Sequence, residues 1–198
     1  MNAGGERVAR SFFAADPLDV APALLGKLLV VGSRWGRIVE VEAYRGQEDP
    51  GSHGYRGVTP RTEVMYGPPG HLYVYFSYGM HWCANVVCGP NGTCGAVLLR
   101  SLEPLGGIEE MFERRPAARR LRDLCSGPAK LCQALGIDGA HDGIDLVAPA
   151  SAVEVRDDGW EVPGYGQSVR IGLSSGKGED LPWRVSMPGT EPVSAAPR

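Results

Sequence analysis

No stretch of this chain is apolar for the roughly 20 residues that a membrane-spanning helix requires. The N-terminus, MNAGGERVARSFF, has none of the apolar segment of a signal peptide. A cytosolic protein with no membrane partner is expected. The five cysteines, Cys83, Cys88, Cys94, Cys125 and Cys132, include no C-x-x-C pair, which argues against a zinc site. Their odd number argues against a disulfide framework, so they read as small buried apolar side chains. There is no internal repeat. There is also no excess of positive charge: the formal net charge is −3. The imbalance is local, however. Residues 34–130 carry twelve basic and ten acidic side chains, whereas residues 131–198 carry five basic and ten acidic. A polyanion would therefore meet the middle of the chain.

What is present suits one domain with a real core: 198 residues, 43% of them hydrophobic. The 28 glycines and 16 prolines imply many turns. Asp16-Pro17 reads as a helix cap followed by proline at the first helical position. Residues 27–31 and 37–44 read as a hairpin, with further strands over 71–78, 83–88 and 96–102. A helix broken near Pro116 is expected over 104–124. Ser126 is expected to cap a second helix, entered at Pro128 and stopped by Gly136. Later strands are expected over 144–148, 152–156 and 168–173. Helices and strands are mixed rather than regularly alternating. This predicts a single α+β domain with a mostly antiparallel, curved β-sheet flanked by helices. Residues 1–14 and 187–198 are expected to be flexible segments around a domain at 15–186.

Chemistry concentrates in a few places. In VEVEAYRGQEDPGSH (39–53), strand alternation puts Val39, Val41 and Ala43 on an apolar face, and Ile38, Glu40, Glu42 and Tyr44 on the other. Glu42 beside an aromatic suits a general base, and equally an exposed, charged strand face. In HLYVYFSYGMHW (71–82), Leu72, Val74 and Phe76 share one face, and Tyr73, Tyr75 and Ser77 the other. Tyrosines facing a pocket can stack on a nucleobase, though aromatics on strands are more often packing. Tyr78 precedes a turn and projects from a loop tip, where it can wedge between base pairs. His53 and Arg61 lie in a long loop, the kind that is often functional. Arg100 ends an apolar strand and needs an anionic or hydrogen-bonding partner, for which Glu42 and a phosphate are both candidates. Asn85 is an amide in an apolar strand that must be satisfied or must read something. The arginines of 112–123 read as a solvated helix face. The SGPAK turn offers helix-start N–H groups with Lys130 beside them.

EVEAY, then His53 after eight intervening residues, then TPR, PPGHLYVYFSYGMHWCANVV, VLLRSLEPLGG and LCSGPAKLCQALGI, stand in this order. In these motifs, from about Ala15 to Leu173, the chain resembles the alkyladenine (3-methyladenine) DNA glycosylases. The resemblance implies that Glu42 activates the hydrolytic water and that Arg100 helps hold it. It implies that Tyr44 and Tyr75 sandwich a flipped base, that His53 contacts the base, and that Asn85 disfavours the amino group of guanine. It also implies that Tyr78 is inserted into the duplex. Arg61 and Lys130 would meet the DNA backbone. The expected function is a monofunctional glycosylase, monomeric, acting on alkylated or deaminated purines in double-stranded DNA and needing no metal or cofactor. Two rivals stand beside it: an O-glycoside hydrolase using Glu40 and Glu42 as paired carboxylates, and a lesion-binding module without catalysis.

Overall fold

The computed structural model describes residues 3–189. Of the N-terminal segment expected to be flexible, residues 6–13 are packed. Strand β1 (Glu6–Arg7) pairs with a late strand at Asp157 and Arg156. Helix α1 (Arg10–Phe13) drives Phe13 completely into the core. Helix α2 (Pro17–Leu24) starts as its sequence predicts: the Asp16 carboxylate accepts the Leu18 N–H, and Pro17 sits where no N–H is needed. The 190–198 part of the expected C-terminal tail lies outside the described residues; Met187, before it, donates its N–H to the Val39 carbonyl.

The hairpin of β2 (Leu28–Val31) and β3 (Arg34–Tyr44) is followed by β4 (Leu72–Ser77), β5 (His81–Val87) and β6 (Ala96–Gly106). Helices α3 (Ile108–Arg114) and α4 (Pro128–Leu135) come next, then β7 (Glu154–Asp157), β8 (Gly166–Ser168) and β9 (Arg184–Ser186). All strand pairings are antiparallel, in the order β1-β7-β2-β3-β6-β5-β4, with β9 beside β3 and β8 beside β9. The fold is therefore the expected single-domain α+β with a curled antiparallel sheet. Leu131, Cys132, Ala134 and Leu135 of α4 are buried, and the helix packs on β5 and β6. All five cysteines are free and four are buried.

Several local expectations fail for identifiable reasons. The 104–124 helix is only α3 plus one 3-10 turn at Leu121–Asp123, because β6 runs on to Gly106 and proline at 116 cannot continue a helix. Ser126 does not cap α4. Gly127 occupies the cap with φ 142°, and Ser126 Oγ instead accepts from Lys130 Nζ. Residues 144–148 make one bridge rather than a strand, since Asp145 bends the chain by accepting the Val147 N–H. Of 168–173 only Ser168 lies in a strand; the chain then leaves the sheet. Simple alternation also breaks in β3 and β6. Register shifts flank Glu40, leaving Val39 and Arg100 as extra residues between paired positions. Ile38 and Val41, of opposite parity, both join the main core. Bulges bend a strand and re-aim a side chain, and here the re-aimed side chain is Arg100.

Candidate active site

Strands β3 and β4 are separated in the sheet by β6 and β5. Curling brings their tyrosines to one cavity of about 820 Å³, a volume typical of small-molecule sites. Tyr44, His53, Arg61, Tyr73, Tyr75, Tyr78, Asn85 and Arg100 all line it. Of the nine residues given a role from the sequence, seven line this cavity, and Glu42 lies directly beneath it beside Tyr44 and Arg100. Lys130 does not: its amine is half-buried against Ser126.

Glu42 lies under the lining and is fully buried, so it is no exposed strand face. Its carboxylate accepts Arg100 Nη1 at 3.1 Å, the Tyr44 hydroxyl at 2.9 Å and the Ile171 N–H at 2.8 Å. Each of these three residues lines the cavity. Burial raises the Glu42 pKa above the usual carboxylate value. Arg100 is the largest opposing influence, followed by the Ile171 and Tyr44 hydrogen bonds. Glu40 is buried as well and shares the same Arg100 at 3.0 Å. Two carboxylates joined by one guanidinium cannot flank a glycosidic oxygen, which removes the support for a paired-carboxylate glycosidase.

The aromatic wall is built on β4. Tyr73 and Tyr75 stack with centroids 5.6 Å apart. His53 meets Tyr75 edge-on at 4.4 Å, and its Nδ1 lies 3.0 Å from the Tyr73 hydroxyl. Phe76, on the face read as core, is instead 47% exposed and packs on Trp82. Asn85 donates to the Tyr73 carbonyl at 3.2 Å and lines the cavity. Arg61 sits over the Tyr75 ring at 5.4 Å. Tyr78, 84% exposed, is the one non-glycine residue among those described with positive φ, 50°. A tyrosine held in this sparsely populated region at a hairpin tip is strained in a way that points to function.

Desolvation of the ring against this wall, and then the Arg61 charge, lower the His53 pKa to about 4, although the residue keeps an exposed side. The imidazole is therefore neutral at neutral pH, able to donate one hydrogen bond and accept one. The sign of the linkage follows. Between the ordinary histidine value and about 4, the unfolded chain takes up a proton that the folded chain refuses, so this site stabilises progressively less as pH falls. An NMR titration of the His53 ring is expected to show a midpoint well below that of a free histidine. A midpoint near the ordinary value would mean that the wall does not exclude the charge.

Sequence reasoning passed over the supports of this site. Arg170 forms a doubly hydrogen-bonded pair with Asp49, both side chains fully buried. Its guanidinium lies 4.6 Å from the Tyr44 ring and 5.0 Å from that of Trp183. Neither Asp49, in a polar loop, nor Arg170, in a segment read as strand, carried a local signal. The 112–123 arginines are not one solvated face either: Arg115 bonds the Leu124 carbonyl and Arg120 pairs with Asp123.

The methylpurine-DNA glycosylase family model matches residues 11–191. A relative from Burkholderia cenocepacia (strain HI2424) is 54% identical over 194 residues, covering 97% of this chain and 93% of its own. One from Agrobacterium fabrum is 49% identical over 187 residues, covering 94% and 92%. One from Nitrobacter winogradskyi is 48% identical over 190 residues, covering 96% and 88%. Each is named "Putative 3-methyladenine DNA glycosylase". A match across nearly the whole domain, together with a buried glutamate beneath an aromatic cavity, identifies this chain as a member of the methylpurine-DNA glycosylase family.

Proposed function

We propose that the protein flips an alkylated or deaminated purine out of duplex DNA and hydrolyses its N-glycosidic bond with Glu42 as the base. The coarser statement, a DNA-repair hydrolase acting on N-glycosyl bonds, follows from family membership. The observation that carries the finer one is the fully buried Glu42 carboxylate, joined by hydrogen bonds to Tyr44 and Arg100 of the cavity lining. A base inside a duplex is out of reach of any such carboxylate, so the nucleotide must be extruded. Tyr78 takes the vacated place in the stack. The purine enters between Tyr44 and Tyr75, where an electron-poor ring stacks well. Water held by Arg100 loses its proton to Glu42 as its oxygen bonds to the anomeric carbon. The carbon–nitrogen bond breaks and its electron pair leaves with the purine. A purine alkylated at a ring nitrogen such as N3 or N7 already carries the positive charge that makes it a good leaving group, whereas a neutral lesion such as hypoxanthine must also gain a proton as it leaves. Among the described residues no lysine lines the cavity, which fits hydrolysis rather than a Schiff-base lyase. Arg61, at the cavity rim, suits a backbone phosphate.

The test is a duplex bearing one hypoxanthine or one ethenoadenine, incubated with the protein, cleaved at abasic sites with alkali and resolved on a gel. Strand cleavage is expected. Failure there and on methylated DNA, with lesion binding intact, would leave a binding module. Asn85 gives a specificity prediction. Its amide crowds the edge where guanine carries its extra amino group, so Asn85→Ser is expected to raise guanine release from undamaged duplex by about tenfold, the equivalent of about 1.4 kcal/mol. Unchanged guanine release, measured by chromatography, would remove that role.

A further inference from the structure

Glu40 has no part in the reaction just described, yet it is 2% exposed in the middle of the sheet. Its Oε1 accepts Arg100 Nε at 3.0 Å and Arg184 Nη1 at 3.0 Å. Arg100 in turn reaches Glu42 through Nη1. The four side chains form one row, Arg184–Glu40–Arg100–Glu42, with two positive and two negative charges. They come from three adjacent strands, β9, β3 and β6, and the side chain between the two carboxylates stands on the β6 bulge.

Stability alone does not account for this row. Buried ion pairs replaced by apolar side chains of like volume often cost nothing. Geometry gives a better account. A guanidinium has five donors and a long rotatable stem. Anchoring Nε to Glu40 restricts the orientations open to Arg100, and in the one observed Nη1 meets Glu42. Electrostatics gives the second part. Arg100 paired with Glu42 alone would hold it as a weak base. Glu40 takes a share of that positive charge, and Arg184 limits how much negative charge Glu40 returns.

We propose that Glu40 and Arg184 are positioning residues: Glu40 fixes Arg100 toward Glu42, and the Glu40–Arg184 pair sets the net charge around the reacting carboxylate. The inference rests on Glu42 being the base, as proposed above. The charged and titratable groups around Glu42 come from every neighbouring element. They are Tyr44 and Glu40 from β3, Arg100 from β6 and Tyr75 from β4, with Cys83 of β5 beside Tyr75 and Arg100, Arg184 of β9 behind Glu40, and Arg170 behind Tyr44. Among the influences on the Glu42 proton, Arg100 lowers its pKa and Glu40 raises it.

The test is the acid limb of the single-turnover rate against pH on methylated duplex DNA, whose cationic purines leave without protonation. Glu40→Gln keeps an oxygen for Arg100 Nε but removes the charge, so the limb is expected to move to lower pH. Arg184→Met leaves the Glu40 charge uncompensated, so the limb is expected to move to higher pH. Each shift should be on the order of one pH unit. Loss of packing cannot move the limb in opposite directions. Unmoved limbs with lower rates, or shifts of the same sign, would overturn the proposal. Glu42→Gln runs alongside: if it stays active, the underlying assignment of the base has failed, whereas an inert Glu42→Gln with unmoved limbs sinks only the role of Glu40 and Arg184. Should Arg184→Met not fold, Arg184→Gln gives the same comparison.

Discussion

Glu42→Gln is expected to reduce base release by about 10²- to 10⁴-fold, the usual contribution of a positioned general base. Lesion-duplex affinity should stay within a few-fold. Glutamine has the same shape, and its oxygen can still accept from Arg100 Nη1 and the Ile171 N–H, the present partners of Oε1. Its amide group can donate to the Tyr44 oxygen, which now donates to Oε2. What glutamine cannot do is take a proton from water. Burial has already raised the Glu42 pKa, so the carboxylate that is lost is a stronger base than an exposed one. Single-turnover release, read as alkali-sensitive strand cleavage, separates the cases. Full activity in the variant would place the base elsewhere in the cavity. Lost activity together with lost binding would mean that the carboxylate holds the aromatic walls rather than activating water.

The largest expected loss of stability belongs to Asp49–Arg170. Removing one partner of a fully buried pair leaves the other charge without water or counter-ion, and costs about 3–5 kcal/mol. Asp49→Ala is therefore expected to lower the urea midpoint by about 1–2 M. Arg170 also donates to the Ala43 carbonyl and packs its guanidinium on Tyr44 and Trp183. It thereby ties together the loop that carries His53, the end of β3 and the segment that gives Glu42 the Ile171 N–H. Among the described residues its Nε has no hydrogen-bond partner, a cost that suggests the pair is kept for position. The double variant Asp49→Leu with Arg170→Met should lose less stability than the sum of the single changes, because it strands no charge. Additive losses would mean that the two side chains act independently.

The chain by itself determined the α2 start at Pro17, the α4 stop at Gly136 and the core strands of the sheet. Those signals are local: a cap, a missing N–H, a left-handed glycine, a run of β-branched residues. It also determined that Glu42, Tyr44, Tyr75, Tyr78, Asn85 and Arg100 belong together, through the ordered motifs of a family. Alternation along β3 showed that Glu40, Glu42 and Tyr44 differ from Val39, Val41 and Ala43. It did not show that both faces are covered, since periodicity reports sides and not what lies over them. Only the tertiary structure decided that Glu42 is buried, that Glu40 shares its arginine, and that a bulge aims that arginine. The contacts that decide these things join residues far apart in the chain: Ile171 to Glu42 across 129 positions, Arg170 to Asp49 across 121, Arg184 to Glu40 across 144. No pattern within a window of the sequence can report such pairs, because they exist only once the sheet has curled and the 169–173 segment has left it to close over β3.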